Sequence, residues 1–292
     1  MRVAVIVAAA LVWAQQANAE PVDRRAAANP RGEIDISNVA GSVNVVGWNR
    51  SEVHVQGDLG SDVERLEFDA DGRRTRIRVV LPQESSRGGS ADLTIHVPRD
   101  SSVKATTVSA DQKISEVRGA QRLKAVSGDI ETDAWDEDFE IETISGEITV
   151  RGHGGKGAAR VTTVSGDVRL EDIGRQLDIE NVSGDIEVRA KELERARIET
   201  TNGELRLRAA LARDARIEAE AINGDLVFQL LGTIDAEFEI ETFNGDIENC
   251  FGPKPRKIRQ YAPGKELRFT EGKGSARVRI KTLNGGVELC NK

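Results

Sequence analysis

The sequence predicts an all-β fold, a parallel β-helix of about 18–21 residues per coil, on three observations. One phrase recurs ten times, alternating strands flank it, and two cysteines share one phase of the repeat. The phrase is an apolar residue, Ser or Asn, Gly, an acid, and a second apolar residue, as in Val126-Ser127-Gly128-Asp129-Ile130. It returns around Gly146, Gly166, Gly184, Gly203, Gly224, Gly245 and Gly285, with looser copies at Val39-Ala40-Gly41 and Val108-Ser109-Ala110. A fixed period with one turn per unit means that each unit buries its apolar face on its neighbours.

Two architectures accommodate that phrase. Asn-Gly is a strong hairpin signal and would give a meander; a β-helix would use the same residues to bend one strand into the next sheet. The position two before the glycine is apolar in every copy but Thr201, which points to a buried residue and therefore to a bend. Cys250 and Cys290 each lie five places after a repeat glycine. On adjacent coils they would stand about 4.8 Å apart, within disulfide range, whereas a meander would separate them by roughly 9–10 Å. Two free thiols are the alternative.

Along the chain, Arg2, the apolar run from Val3 to Trp13 and Ala17-Asn18-Ala19 have the layout of a secretory signal peptide over residues 1–19, cut after Ala19. The apolar run is too short for a stable anchor, no cysteine marks a lipoprotein, and no later segment is apolar enough to cross a membrane. The expected location is periplasmic or secreted. Residues 20–100 read as irregular opening coils or a capping sheet, with strands at Leu66 to Asp69, Thr75 to Leu81 and Leu93 to Val97. Residues 101–292 carry the regular repeat in the same continuous domain. There, apolar residues recur five before each glycine (Ile141, Val161, Ile179, Ile198) and two after it (Ile148, Val168, Ile186). Lys191 to Arg197 reads as a single helical turn and 251–274 as a loop excursion.

The export signal, Gly41-Ser42-Val43-Asn44-Val45-Val46-Gly47-Trp48, Val97-Pro98 and the tandem Ser-Gly-Asp and Asn-Gly-Asp turns resemble the bacterial putative-adhesin family of β-strand-repeat domains of unknown function. The resemblance covers essentially the whole mature chain and implies a right-handed, single-stranded helix. It transfers no catalytic residue.

The formal charge is −8, and −9 once Arg2 is lost, which excludes nucleic acid and an anionic membrane as electrostatic partners. The repeat serines have no base in a triad-like setting: His54 and His96 each sit between valines, as outward strand positions do, and His153 lies in a glycine-rich link. The acids after the glycines form a column that splays into water or shares cations; the serines and then asparagines before them form a hydroxyl and an amide ladder. Neither a metal site nor a cofactor is expected. Trp135, Lys254, Arg256, Lys257 and Arg259 are the candidate ligand surface, an aromatic and a basic run on an acidic molecule. The expectation is an exported, non-enzymatic repeat protein that meets a glycan or protein of the cell envelope. The alternatives are a polysaccharide-active β-helix enzyme and a periplasmic envelope-stress accessory.

Overall fold

The computed structural model describes residues 20–82, 89–258 and 263–291. The expected signal peptide and Arg259 lie outside them. Among the described residues every regular element is a strand.

Each repeat contributes one strand before its glycine and one after it, and the two join separate parallel ladders. In the first ladder Gln121–Ser127, Phe139–Ser145, Ala158–Ser165 and Gln176–Ser183 lie side by side in register, so Leu123, Ile141, Val161 and Ile179 are successive neighbours. In the second, Ile130–Ala134, Ile148–Gly152 and Val168–Ile173 do the same. The long strands Ile186–Asn202 and Leu205–Asn223 run through the link, feeding one ladder with their first half and the other with their second. Lys191 to Arg197, expected as a helical turn, is strand with a register shift, because both flanks are held by adjacent rungs. The inward residues of both ladders form one aliphatic core, including Ile141, Val161, Ile179, Ile148 and Val168.

The parallel order stands, but one argument for it does not. Val108, Val126, Ile144, Val164, Val182, Ile222, Phe243 and Leu283, two before the glycine, are 45–51% exposed. Strand alternation is the reason: with the isoleucine five before the glycine turned inward, the residue three before must also be inward and the residue two before outward. The innermost corner position is therefore held by Thr143, Thr163, Asn181, Thr200, Thr242 and Thr282, all buried.

The stacking order also departs from chain order at both ends. The rung built from Ala276–Asn284 and Val287–Asn291 inserts between Leu205–Asn223 with Leu226–Leu231 and the earlier rung Ala236–Asn244 with Ile247–Asn249. The 21-residue step from Gly224 to Gly245 equals the step before it, so periodicity alone could not show the swap. The stretch expected as a loop excursion contains Lys265–Glu271, which pairs antiparallel with Ala236–Asn244 and covers the end of the first ladder. Phe238, Phe251 and Phe269 close that end with ring centroids 4.7–5.7 Å apart. At the other end Glu33–Trp48 lies between Ser102–Ser115 and the pair Arg74–Val80 and Ser90–Pro98. Antiparallel strands Arg65–Ala70, Glu52–Leu59 and Glu20–Ala27 finish that edge. Capping an end this way removes an open edge that would template pairing with another chain.

Cys250 and Cys290 form a disulfide between the last two rungs, with Cα atoms 4.9 Å apart. It ties the outermost rung to the inserted one.

Two outcomes are expected. Ile179→Ala, at a fully buried site, destabilises by about 2–4 kcal/mol in urea unfolding, while Val182→Ala, three residues on and outward, changes stability by less than about 0.5 kcal/mol. Replacing Cys250 and Cys290 by Ser lowers stability by about 2–4 kcal/mol, because a closed loop spanning 40 residues no longer restricts the unfolded chain; the urea midpoint measures it.

Candidate functional site

The corner is built from glycine outward. Gly146 and Gly166 have φ of 133° and 137°, where an L side chain is strained, and a Cβ on either would overlap the carbonyl oxygen of the glycine one rung before. Backbone bonds consequently continue on both sides of the acid position at the corner. The Gly166 N–H donates to the Ser183 carbonyl at 3.0 Å and the Ile148 N–H to the Asp167 carbonyl at 2.9 Å. From inside, the Asn181 amide donates to the Gly184 carbonyl at 2.8 Å and the Thr143 hydroxyl to the Ser145 carbonyl at 3.1 Å.

Outside, the amide ladder forms as expected but follows the swapped order: Asn223 donates to Asn202, Asn284 to Asn223 and Asn244 to Asn284, at 2.8–2.9 Å. The acids do more than splay into water. Asp129, Asp167, Asp185 and Asp225 each accept the backbone N–H of the acid position on the next rung, at 2.7–2.9 Å. The longer glutamates turn to arginines instead, Glu147 to Arg169 and Glu204 to Arg206.

Three columns cover the outer face of the first ladder. Six before the glycine, charges alternate along the stack: Arg122 pairs with Glu140 at 2.6 Å, Arg160 with Asp178 at 3.5 Å and Arg279 with Glu239 at 2.7 Å. Arg122 holds the Glu140 carboxyl below the usual carboxylate range, and Arg279 does the same for Glu239. Most of this column pairs along itself, while Arg197 turns to Glu199 in the next column and Glu239 also receives Arg268 from the cap strand. Four before the glycine stand Glu180, Glu199, Glu220 and Glu241, with Lys281 among them, and two before it stands the apolar column. Between these last two runs a groove with one acidic and one apolar wall, from Val164 past Val182, Thr201, Ile222 and Leu283 to Phe243, with Ile258 at one end. All nine exposed large hydrophobic residues among the described residues are the eight of the apolar column and Ile258.

The model of one family of β-strand domains matches residues 33–289, the two ladders with nearly all of their caps. The chain belongs to the Toastrack DUF4097 family. The match bears out the resemblance drawn from the repeat. No curated protein matches the chain. Among solved structures it is similar to a putative adhesin from Bacteroides fragilis NCTC 9343, at 8% identity and a TM-score of 0.38 over 94% of this chain and 97% of that one. It is also similar to a putative adhesin from Parabacteroides distasonis ATCC 8503, at 11% identity and a TM-score of 0.35 over 94% and 98%. A third is a putative lipid binding protein from the same organism, at 9% identity and a TM-score of 0.36 over 94% and 98%.

In this Toastrack chain the residues singled out from the sequence do not converge. Trp135 is stacked on His153 at 3.8 Å between ring centroids, and the Arg118 guanidinium lies 4.9 Å from its ring. The two partners come from the links on either side of its own, so the indole is a step in a stack and not an open platform. Lys254, Arg256 and Lys257 are exposed, and Arg256–Lys257 pairs with the cap strand Lys265–Glu271, which sets the adjoining Ile258 at the groove end. His54 and His96 do point outward, yet Trp48 covers both, and His54 is bonded to Asp23 at 2.9 Å and only 6% exposed. Burial and the neighbouring His54 and Arg50 lower the His96 pKa. Among the described residues, no group of three or more His, Cys, Asp or Glu is placed to hold a metal ion, and no helix is long and apolar enough to cross a membrane.

The groove and its exposed column went unnoticed in the sequence because apolar was equated with buried. The available signal was parity: counting by twos from the isoleucine five before each glycine turns the column outward.

The charge column fixes an acid response. Glu140 and Glu239 titrate in the folded chain below their ordinary value of 4.5, so their stabilisation is present above about pH 4.5 and is lost as pH falls through the lowered values. Thermal melts from pH 7 to pH 3 should ease downward below about pH 6.5, where His96 protonates more readily in the unfolded chain, and fall further below about pH 4.5; Glu140→Gln with Glu239→Gln should lessen only the second part.

Proposed function

We propose that this chain is an exported, non-enzymatic display protein that binds a component of the cell envelope through the apolar column. In this reading residues 1–19 are its signal peptide, 20–100 its opening cap and 101–292 its repeat, with Cys250–Cys290 closing the far end. The single observation that carries it is the concentration of exposed aliphatic side chains on one line. Scattered exposed hydrophobics are ordinary, but a contiguous apolar patch marks an interaction surface. Nine rungs, from Val108 to Phe243, give a line of about 38 Å at the usual strand spacing. The disulfide supports an oxidising compartment, in keeping with export. The finer architecture belongs to the same reading: a single-stranded helix, right-handed as the family resemblance implies.

The columns also support a non-enzymatic role. The repeat acids are committed to backbone N–H groups, to arginines or, for Asp246, to Lys265, and most ion pairs of the outer face neutralise one another. Among the described residues that line the groove, no hydroxyl is hydrogen-bonded to a side-chain base.

Mature protein starting at Glu20, immobilised and offered envelope fractions of the producing cell, should retain material that Ile222→Ser with Leu283→Ser does not, at equal melting temperature. Equal retention by both proteins, or none by either, contradicts the proposal. Incubation with a polysaccharide panel should release no reducing ends, and sustained release would make the chain an enzyme.

A further inference from the structure

We infer that the groove seats a basic amphipathic α-helix of a partner protein, lying along the stack with its apolar seam on the column; this rests on the column being the binding face. Charge decides the class of partner first. The wall carries four acids and Lys281. Glu199 is paired with Arg197 and Glu241 with Arg268 and Lys281, while Glu180 and Glu220 join none of the ion pairs among the described residues. Glu220 lies beside Lys281 in register, so the wall keeps a net negative charge. The opposite flank of the column carries Asp167, Asp185, Glu204 and Asp225. An aliphatic line between two acidic borders selects an apolar partner edged with lysine or arginine. The same borders repel an anionic lipid surface, and a second copy of this chain seated on the column would set acid against acid.

Spacing then decides its conformation. Along the stack the column offers one apolar side chain about every 4.8 Å. A helix with apolar residues at heptad spacing presents one layer per ~3.5 residues, or about 5.3 Å. From Val164 to Phe243 there are five steps, over which the two repeats drift apart by roughly 2 Å, less than half a rung. An extended peptide would repeat its side chains on one face about every 6.6 Å and lose register after two rungs. It would also find no unpaired backbone on this face, since the first ladder's N–H and C=O groups bond rung to rung. About 16 helical residues cover the stretch. Thr201 is the one polar step on it, so it sets a weak point in the seam.

The probe is a labelled 18-residue helical peptide of Leu and Lys, with Leu along one face, titrated with the mature wild-type protein and followed by fluorescence anisotropy and circular dichroism. Saturable binding with a gain in helicity is expected. Ile222→Ser with Leu283→Ser should weaken it at least tenfold. Glu180→Gln with Glu220→Gln should weaken it severalfold and flatten its salt dependence. Thr201→Val, which exchanges a hydroxyl for a methyl at constant shape, should tighten it, an effect that misfolding cannot imitate. Equal binding of the matching Leu and Glu peptide or of a sequence-scrambled Leu and Lys peptide overturns the inference. So does indifference to all three variants, binding to vesicles of anionic phospholipid without binding to the peptide, or sedimentation showing self-association abolished by Ile222→Ser with Leu283→Ser. If envelope capture needs Ile222 and Leu283 but the peptide is ignored, the helix assignment falls and the binding face stands; if capture ignores them too, both fall.

Discussion

Contact between backbones at the glycine corner constrains everything else in this molecule. Each repeat glycine lies directly over the carbonyl of the one before, so the corners stack in register and the backbone ladder continues around them. Once the corners are in register, every other position becomes a column of like residues about 4.8 Å apart. A column at that spacing must be made of groups that tolerate their own neighbours. Isoleucine and valine do so inside by packing; asparagine does so by donating and accepting along the ladder. Charge does so only with help, and this chain uses two kinds: alternation of sign six before the glycine, and aspartates that each accept the next rung's N–H.

Much of this was legible in the sequence, for a definite reason. The glycine, the acid and the inward isoleucine are set by local geometry repeated at fixed intervals, so the parallel stack, the amide ladder and the cysteine pairing could be reached from spacing. Two things could not be reached that way. Val126, Ile144 and Val182 look like core residues by type, and only their parity relative to Ile141 or Ile179 shows that they face outward. The insertion of Ala276–Asn284 beneath Ala236–Asn244 leaves no periodic trace, because both segments carry the same phrase and either order satisfies it. What separates the orders is the cap: Lys265–Glu271 and three phenylalanines cover Ala236–Asn244 and leave it terminal.

The same in-register rule that stabilises the stack also produces the exposed apolar column. Burying Thr or Asn at the last inward position lets its side chain hold the corner carbonyls, and alternation then puts the next residue into solvent. A valine there contributes little to the core, yet eight of nine rungs keep a large apolar side chain at that place. Stability does not require this, which is why the column is read as a binding surface. Trp135 and the basic run answer to structure instead, as a step in a stack and as the lead into Ile258.

The most direct test of the in-register, outward column is a cysteine pair at Val164 and Val182 in an otherwise native chain. If neighbouring rungs align as described, the two Cα atoms lie about 4.8 Å apart, within the range a disulfide accepts, on an open face. The account predicts rapid oxidative cross-linking of the folded protein and fast alkylation of either single cysteine. Slow alkylation of both singles, or no cross-link under conditions that leave the fold intact, would contradict it.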